Sequence, residues 1–513
     1  MTTTLFTNGT VRTLAGDQTA GWVLVSDGAI VATGDGDDAP GADRIVDMSG
    51  ATLIPGFCDA HVHMPATGLY ASGLDFRAET RAAAILDAFR NRARHGNGIL
   101  FGGNFEDPLD KPLDRHLLDS AVGERPALLA RADMHSCVVS SALLKELDVA
   151  GLEGVDVDDD GTQTGYLREK AAARAWNWFD SNQPPEQERE AVRAAIRRAY
   201  SKGVTRVHDM YVVEWRGWAS LDVLAEVMTA ASLDWSLHIA TDDIDRVKRL
   251  GLPRIGGDWF LDGSFGSHTA WLADPYSPPT PAGSPPRGIA YRDDREVVAF
   301  FSEAQRAGLQ TGVHAIGDAA IEQALRAWET VAETAGHDEV RSLRHRIEHF
   351  ECSSDEHIAR ARKLNLGISV QPAFDRYWGG PDGMYAQRIG WDRARNMNRF
   401  NTMLQSGLVV GAGSDSAVTP LDPFLQMAAL REHHLPEQRM GGLDALRCHT
   451  LGSQSLSASE TVLGTISPGR FADLALLGAD PAATPAAELG SIEVLGTWVR
   501  GVRVWPPEDA EAF

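Results

Sequence analysis

Cysteine is scarce: Cys58, Cys137, Cys352 and Cys448 are the four in 513 residues, and none belongs to a Cys-x-x-Cys pair. That scatter excludes a zinc ribbon and a disulfide scaffold, and it fits a reduced, cytoplasmic setting. Positive charge is also short, 48 Lys and Arg against 71 Asp and Glu, for a formal net charge of -23. The deficit argues against nucleic acid or an anionic membrane as partner. No apolar run approaches the ~20 residues of a membrane span. The first residues, Met1-Thr2-Thr3-Thr4-Leu5, lack the basic start and apolar core of a signal peptide. Neither export nor anchoring is expected. A Gly-x-Gly-x-x-Gly turn after a first strand is missing, which counts against an open doubly wound sheet. No repeat of ~20 to 50 residues is visible, and nothing in the sequence decides for or against a homo-oligomer.

What is present is an ordinary globular composition, long enough for one large catalytic domain and a smaller one. From Thr3 to Leu53 short apolar runs alternate with Gly and Asp turns, and similar runs return only after Gly464. These read as strands of one β-unit built from both chain ends. Between them, apolar runs ending on polar residues alternate with helical patterns. One ends at His61; the others lie at Val204–Asp209, Trp235–Ala240, Asp258–Asp262, Leu309–His314, Arg344–His349, Leu366–Gln371 and Leu408–Gly413. Eight strands alternating with helices predict a (β/α)8 TIM barrel, whose functional groups gather at strand C-terminal ends. The expected division is a composite β-sandwich of residues 1–54 and 460–513 around a barrel of 55–459. Residues 64–200 then form a large insertion after the first barrel strand, with strands near 98–105 and 126–133 and a helix at 186–201. Residues 273–288, which carry six prolines, suit a rim or lid over the barrel mouth.

The chemistry begins at Pro55-Gly56-Phe57-Cys58-Asp59-Ala60-His61-Val62-His63. Residues two apart on a strand face one side, so His61 and His63 project together, half of a metal site. His314, His349 and Asp415 stand at later strand ends. Asp318, just beyond His314, is a candidate helix cap. Five such groups at matching strand ends are hard to explain as packing alone.

The order His-x-His, His, His, Ser-Asp resembles the amidohydrolase superfamily, metal-dependent hydrolases on a β/α barrel. Pro55-Gly56-Phe57, His314-Ala315-Ile316-Gly317-Asp318, Arg346-Ile347-Glu348-His349, Gln371-Pro372 and Gly413-Ser414-Asp415 resemble its N-substituted formamide deformylase-like branch, amidohydrolase family 3. The resemblance implies that His61, His63, His314 and Asp415 hold a divalent metal, Zn2+ in first place. It makes His349 a ligand of a second metal or an oxyanion stabiliser, and Asp415 the base that takes a proton from water whose pKa the metal lowers to ~7. One departure stands out: where many relatives carry a carboxylated lysine bridging two metals, this chain has Asp258, a shorter side chain. One tightly bound metal is therefore the expectation, with Glu169 the candidate bridge for a second.

Asp262 and His268, in the Asp262-Gly263-Ser264-Phe265-Gly266-Ser267-His268 motif, are candidate substrate contacts. So are Tyr377 and Trp378, in an aromatic loop that also holds Phe374, Tyr385 and Trp391 and is rich in arginine, so that a carboxylate-bearing ligand stays open. His208 and His238 read as packed core histidines, and His135 matches the branch pattern without a role. The expected activity is metal-dependent hydrolysis of a non-peptide C–N bond, in an N-acyl or N-formyl amide of a small molecule. The alternatives are deamination or opening of a cyclic amide or heterocycle; the complete ligand set weighs against a non-catalytic binding protein.

Overall fold

Eight segments of the chain form parallel strands: β1 (Phe57–Val62), β2 (Val204–Val212), β3 (Asp234–Ala240), β4 (Arg254–Ile255), β5 (Gln310–Ala315), β6 (Arg346–His349), β7 (Gly367–Val370) and β8 (Val409–Ala412). The computed structural model describes residues 2–507 except 17, 37, 78, 95–98, 279 and 281–284. These strands are buried almost throughout, as parallel strands covered on both faces must be. Their order is β3-β2-β1 in one sheet and β4-β5-β6-β7-β8 in the other. The two sheets meet at both edges. The Asp415 N–H donates to His61 O at 2.8 Å beyond β8, and the Gly256 N–H donates to Ile239 O at 2.8 Å beside β3.

The fourth strand departs from its expected run over 258–262. It pairs regularly only at Arg254–Ile255, then breaks at Gly256 and Gly257, whose φ angles are 87° and 77°. A Cβ on Gly256 would lie 2.1 Å from Gly312 O, so this left-handed turn requires glycine. The chain rejoins β5 where the His314 N–H donates to Trp259 O at 3.2 Å and the Leu261 N–H to His314 O at 3.1 Å. Asp258 sits between the break and the rejoining point, 3% exposed.

Between β1 and β2 the insertion builds a sheet of its own, ordered Val155–Val157, Gln163–Arg168, Ser136–Val139, Ala127–Arg131, Leu100–Phe105, Leu74–Asp75. Two apolar clusters flank it, one around Trp176 and Phe179, the other around Phe89 and Phe105. The helix expected at 186–201 runs Pro185–Ser201 and buries Ala191, Val192, Ala195 and Ile196 on one side. Strands from both chain ends share one sheet, in which Thr52–Pro55 pairs with Leu474–Leu477. That sheet and the four-stranded one containing Thr3–Thr7 enclose Phe6, Val23, Leu53, Leu474 and Trp498.

One local expectation changes. Asp318 is the first residue of the helix Asp318–Ala335 rather than its cap, and its carboxylate accepts from the Ala273 N–H at 2.9 Å. Of the proline-rich segment, residues 279 and 281–284 lie outside the described residues, as does Gly98 of the expected 98–105 strand.

Candidate metal centre and active site

His61 and His63 leave β1 on the same side, with ring centroids 5.4 Å apart. His314 is the last residue but one of β5 and His349 ends β6, their ring centroids 4.4 Å apart. Asp258 stands among all four: Oδ2 lies 3.3 Å from His61 Nε2 and 3.2 Å from His63 Nε2, and Oδ1 lies 3.7 Å from His314 Nδ1 and from His349 Nε2. Asp415 Oδ1 closes the group, 3.1 Å from His63 Nε2 and 3.5 Å from His61 Nε2. Two ligands bound at ~2.0–2.1 Å to one tetrahedral zinc are roughly 3.3–3.4 Å apart. The observed spacings are of that size.

Each histidine is turned by a bond on its far nitrogen. His61 Nδ1 faces Glu348 Oε2 at 2.9 Å, His63 Nδ1 faces Met210 O at 2.7 Å, His349 Nδ1 faces Gln371 Oε1 at 2.8 Å and His314 Nε2 faces Gly263 O at 3.2 Å. All four partners are oxygen acceptors, so these nitrogens donate and the opposite lone pairs face inward. His61 Nε2, His314 Nδ1, His349 Nε2, Asp258 Oδ1 and Asp415 Oδ1 are buried without any hydrogen-bond partner. Unpaired buried polar atoms are costly, and five converging at one place fit a bound cation.

The field agrees. Burial opposes charge on His61, yet Asp258 and Asp415 outweigh it and raise its pKa well above the ordinary value. His63 is raised to about 9, against its own desolvation, by the same two carboxylates. Burial also pushes Asp258 upward, but His61, His314 and His349 draw it well below the usual carboxylate range. The centre is electronegative and favours positive charge.

A model described as the Amidohydrolase family matches residues 44–505. The chain belongs to the amidohydrolase family. Putative amidohydrolase YtcJ of Bacillus subtilis (strain 168) is 30% identical to it over 535 residues, spanning 96% of each chain. N-substituted formamide deformylase of Arthrobacter pascens is 25% identical over 551 residues, spanning 96% of this chain and 97% of that one. An uncharacterized metal-dependent hydrolase from Pyrococcus furiosus superposes with a TM-score of 0.74 at 25% identity, covering 94% of this chain and 100% of its own.

Glu169, the bridge candidate, does not join the ligand groups of this amidohydrolase. Its Oε2 accepts from His135 Nδ1 at 3.1 Å and from the Tyr291 hydroxyl. Asp258, which looked too short, takes the central position because the Gly256-Gly257 break carries its backbone inward.

The Asp262 and His268 readings also change. Asp262 is fully buried and accepts three backbone N–H groups, from Ile316 at 3.0 Å, Gly317 at 2.7 Å and Trp271 at 2.8 Å, so its carboxylate fastens loops. His268 is buried against Tyr276, and burial drives its pKa down to about 4. Their motif instead docks the insertion: Asp133 Oδ2 accepts from Ser267 Oγ at 2.6 Å, Ser264 Oγ at 3.0 Å and Arg131 Nη1 at 2.5 Å.

A cavity beside the centre is lined by Asp415, His314, His349 and His135, and on its apolar side by Phe265, Phe374, Trp378 and Tyr385. Trp378 lines this cavity, whereas Tyr377 points to solvent, 44% exposed. The loop arginines are largely spent on the protein, Arg376 on Glu432 and Arg399 on Asp355, and Arg393 on the carbonyls of Asp274 and Pro275. The other charged groups that line the cavity are Glu106, Asp133, Glu351 and Arg131, none of which the sequence singled out, and Arg131 pairs with Glu106 and Asp133. His208 is a core residue as read, its Nδ1 accepting from Arg346 Nη1 at 2.9 Å, and His238 is fully buried. Among the described residues no helix is long and apolar enough to cross a membrane.

Proposed function

We propose that this chain is a metal-dependent hydrolase of a non-peptide carbon–nitrogen bond in a small N-acyl or N-formyl amide. We read its eight parallel strands as a closed (β/α)8 barrel, flanked by the composite β-domain of residues 1–54 and 460–513. The observation that carries the function is the set of five unpaired buried ligand atoms converging from β1, the segment after β4, β5, β6 and the residues beyond β8. The likeness to the Arthrobacter deformylase supports the substrate class.

Two cations, Zn2+ in first place, suit the geometry better than the single one the sequence suggested. Asp258 offers one oxygen to the His61 and His63 side and the other to the His314 and His349 side. Divalent cations there supply a water of pKa near ~7 and a Lewis acid for the carbonyl. The protein's own part is positional and protolytic. Glu348, Met210 O, Gln371 and Gly263 O aim the four imidazoles. Asp415 takes the proton of the attacking water and returns it to the leaving nitrogen. Phe374, Trp378, Tyr385 and Phe265 receive the apolar part of the substrate. The excess of acid over base and the four free cysteines suit a small-molecule enzyme of the reducing cytoplasm.

The missing lysine, the one feature that leaned toward a deaminase, loses that weight once Asp258 stands in the bridging position. Elemental analysis combined with a screen of amides, lactams and aminated heterocycles tests the reading. A carboxylate plus a primary amine is the expected product pair; ammonia released from a retained ring would replace this function by deamination.

A further inference from the structure

His135 comes from the insertion, 72 residues beyond His63 in sequence, yet it lines the same cavity as His314, His349 and Asp415. Its ring lies 6.0 Å from that of His314 and 5.7 Å from that of Phe260, centroid to centroid. Two bonds fix it to Glu169: the Glu169 N–H donates to His135 O at 2.8 Å, and His135 Nδ1 meets Glu169 Oε2 at 3.1 Å. The Tyr291 hydroxyl donates to the same Oε2. On the other side, the His135 N–H donates to Asp133 Oδ1 at 3.1 Å, and Asp133 is anchored by Ser264, Ser267 and Arg131.

The backbone is held in an uncommon conformation to achieve this. Met134, just before His135, has φ 60°, and Glu169 has φ 45°, left-handed positions that residues with a side chain seldom adopt. Such strain persists where the surrounding structure imposes it, and it gathers at functional sites. A histidine needed only for packing would not require an acidic partner, a tyrosine behind that partner and two left-handed residues. With Nδ1 tied to Glu169, Nε2 is the ring atom left for a ligand.

We infer that His135 touches the scissile amide of the bound substrate through Nε2, and that Glu169 and Tyr291 are positioning residues acting through His135. The inference rests on the amide hydrolase reading above. It makes the insertion part of the active site, with the Asp262–Thr269 loop as the dock that delivers it.

The test uses the metal-loaded full chain with benzylphosphonate, a tetrahedral anion on an aromatic group, and reads binding by calorimetry and metal content by elemental analysis. His135→Ala is expected to weaken binding by about tenfold or more while metal content stays that of the wild type. His135→Gln recovers part of the loss. Glu169→Gln weakens binding in the wild-type background and adds nothing to His135→Ala. If His135→Ala does not fold, judged by its thermal transition, His135→Gln alone must show the weakening. Affinity within about twofold of wild type, metal lost together with the ring, or additive Glu169 and His135 effects each overturn the inference. A wild-type chain that takes up no metal, or takes it up and binds no phosphonate, overturns the proposed function instead.

Discussion

Glu348 Oε2 lies 2.9 Å from His61 Nδ1, so the ring's other nitrogen is the one turned toward Asp258 and Asp415. Glu348 is held in turn by Arg346, whose Nε and Nη2 reach its two oxygens at 2.5 and 2.8 Å, with both side chains fully buried. Arg346 and His61 together keep the Glu348 carboxyl ionised against the cost of burial, with a pKa lowered to about 2.

Glu348→Gln therefore acts twice. Metal affinity should fall by about 10- to 100-fold through loss of the group that aims His61, measured by competition with a chromogenic chelator. Stability should fall as well, by about 3–5 kcal/mol, because Arg346 becomes a buried charge without its partner. Wild-type metal affinity in the variant would show that His61 needs no such support.

Asp258→Asn removes the charge between the two histidine pairs and keeps the shape. The expected result is a fall from two metal equivalents per chain to one or none, counted by plasma emission spectroscopy after gel filtration. Two tightly held equivalents in the variant would refute the bridging role.

Asp415→Asn keeps a ligand oxygen but cannot accept a proton. Turnover of any amide found in the screen should drop by about 10^2- to 10^4-fold, with the KM changed far less. Full turnover would remove Asp415 as the base.

Acid should destabilise the fold through histidines remote from the cavity. His345, stacked on Trp328 at 3.8 Å, and His449 are buried, and burial alone lowers each pKa from 6.5 to about 3. The unfolded chain then binds the extra protons between those values, so unfolding free energy declines as pH falls below 6.5 and levels off near 3. Each contributes a slope of about 1.4 kcal/mol per pH unit in that window. Urea titrations of wild type and His345→Gln between pH 7.5 and 4.5 should show a shallower decline for the variant. Parallel declines would contradict this origin.

The strands were legible because short β-prone runs close on a polar residue between helical patterns, and segments such as Val204–Val212 and Gln310–Ala315 are buried on both faces. His61, His63, His314, His349 and Asp415 could be singled out because each stands at the polar end of such a run. The position of Asp258 could not, since it depends on a break at Gly256 that shows only as two glycines within a strand pattern. Glu348 was quoted as part of a motif, but its partner His61 lies 287 residues away, beyond the reach of any local pattern. Asp262 misled for the opposite reason: a carboxylate beside glycines at a strand end looks the same whether it meets a ligand or three backbone N–H groups. Tyr377 and Trp378 are adjacent, so on the short helix Pro372–Trp378 they point apart, and only one reaches the cavity.

The break in the fourth strand changes how such a centre comes to exist. A lysine at position 258 would become a bridging acid only after capturing carbon dioxide, and its assembly would depend on dissolved bicarbonate. An aspartate carried inward by two glycines is ready when translation ends, so reconstitution of the metal-free chain should proceed at the same rate in degassed, carbonate-free buffer as in buffer saturated with it.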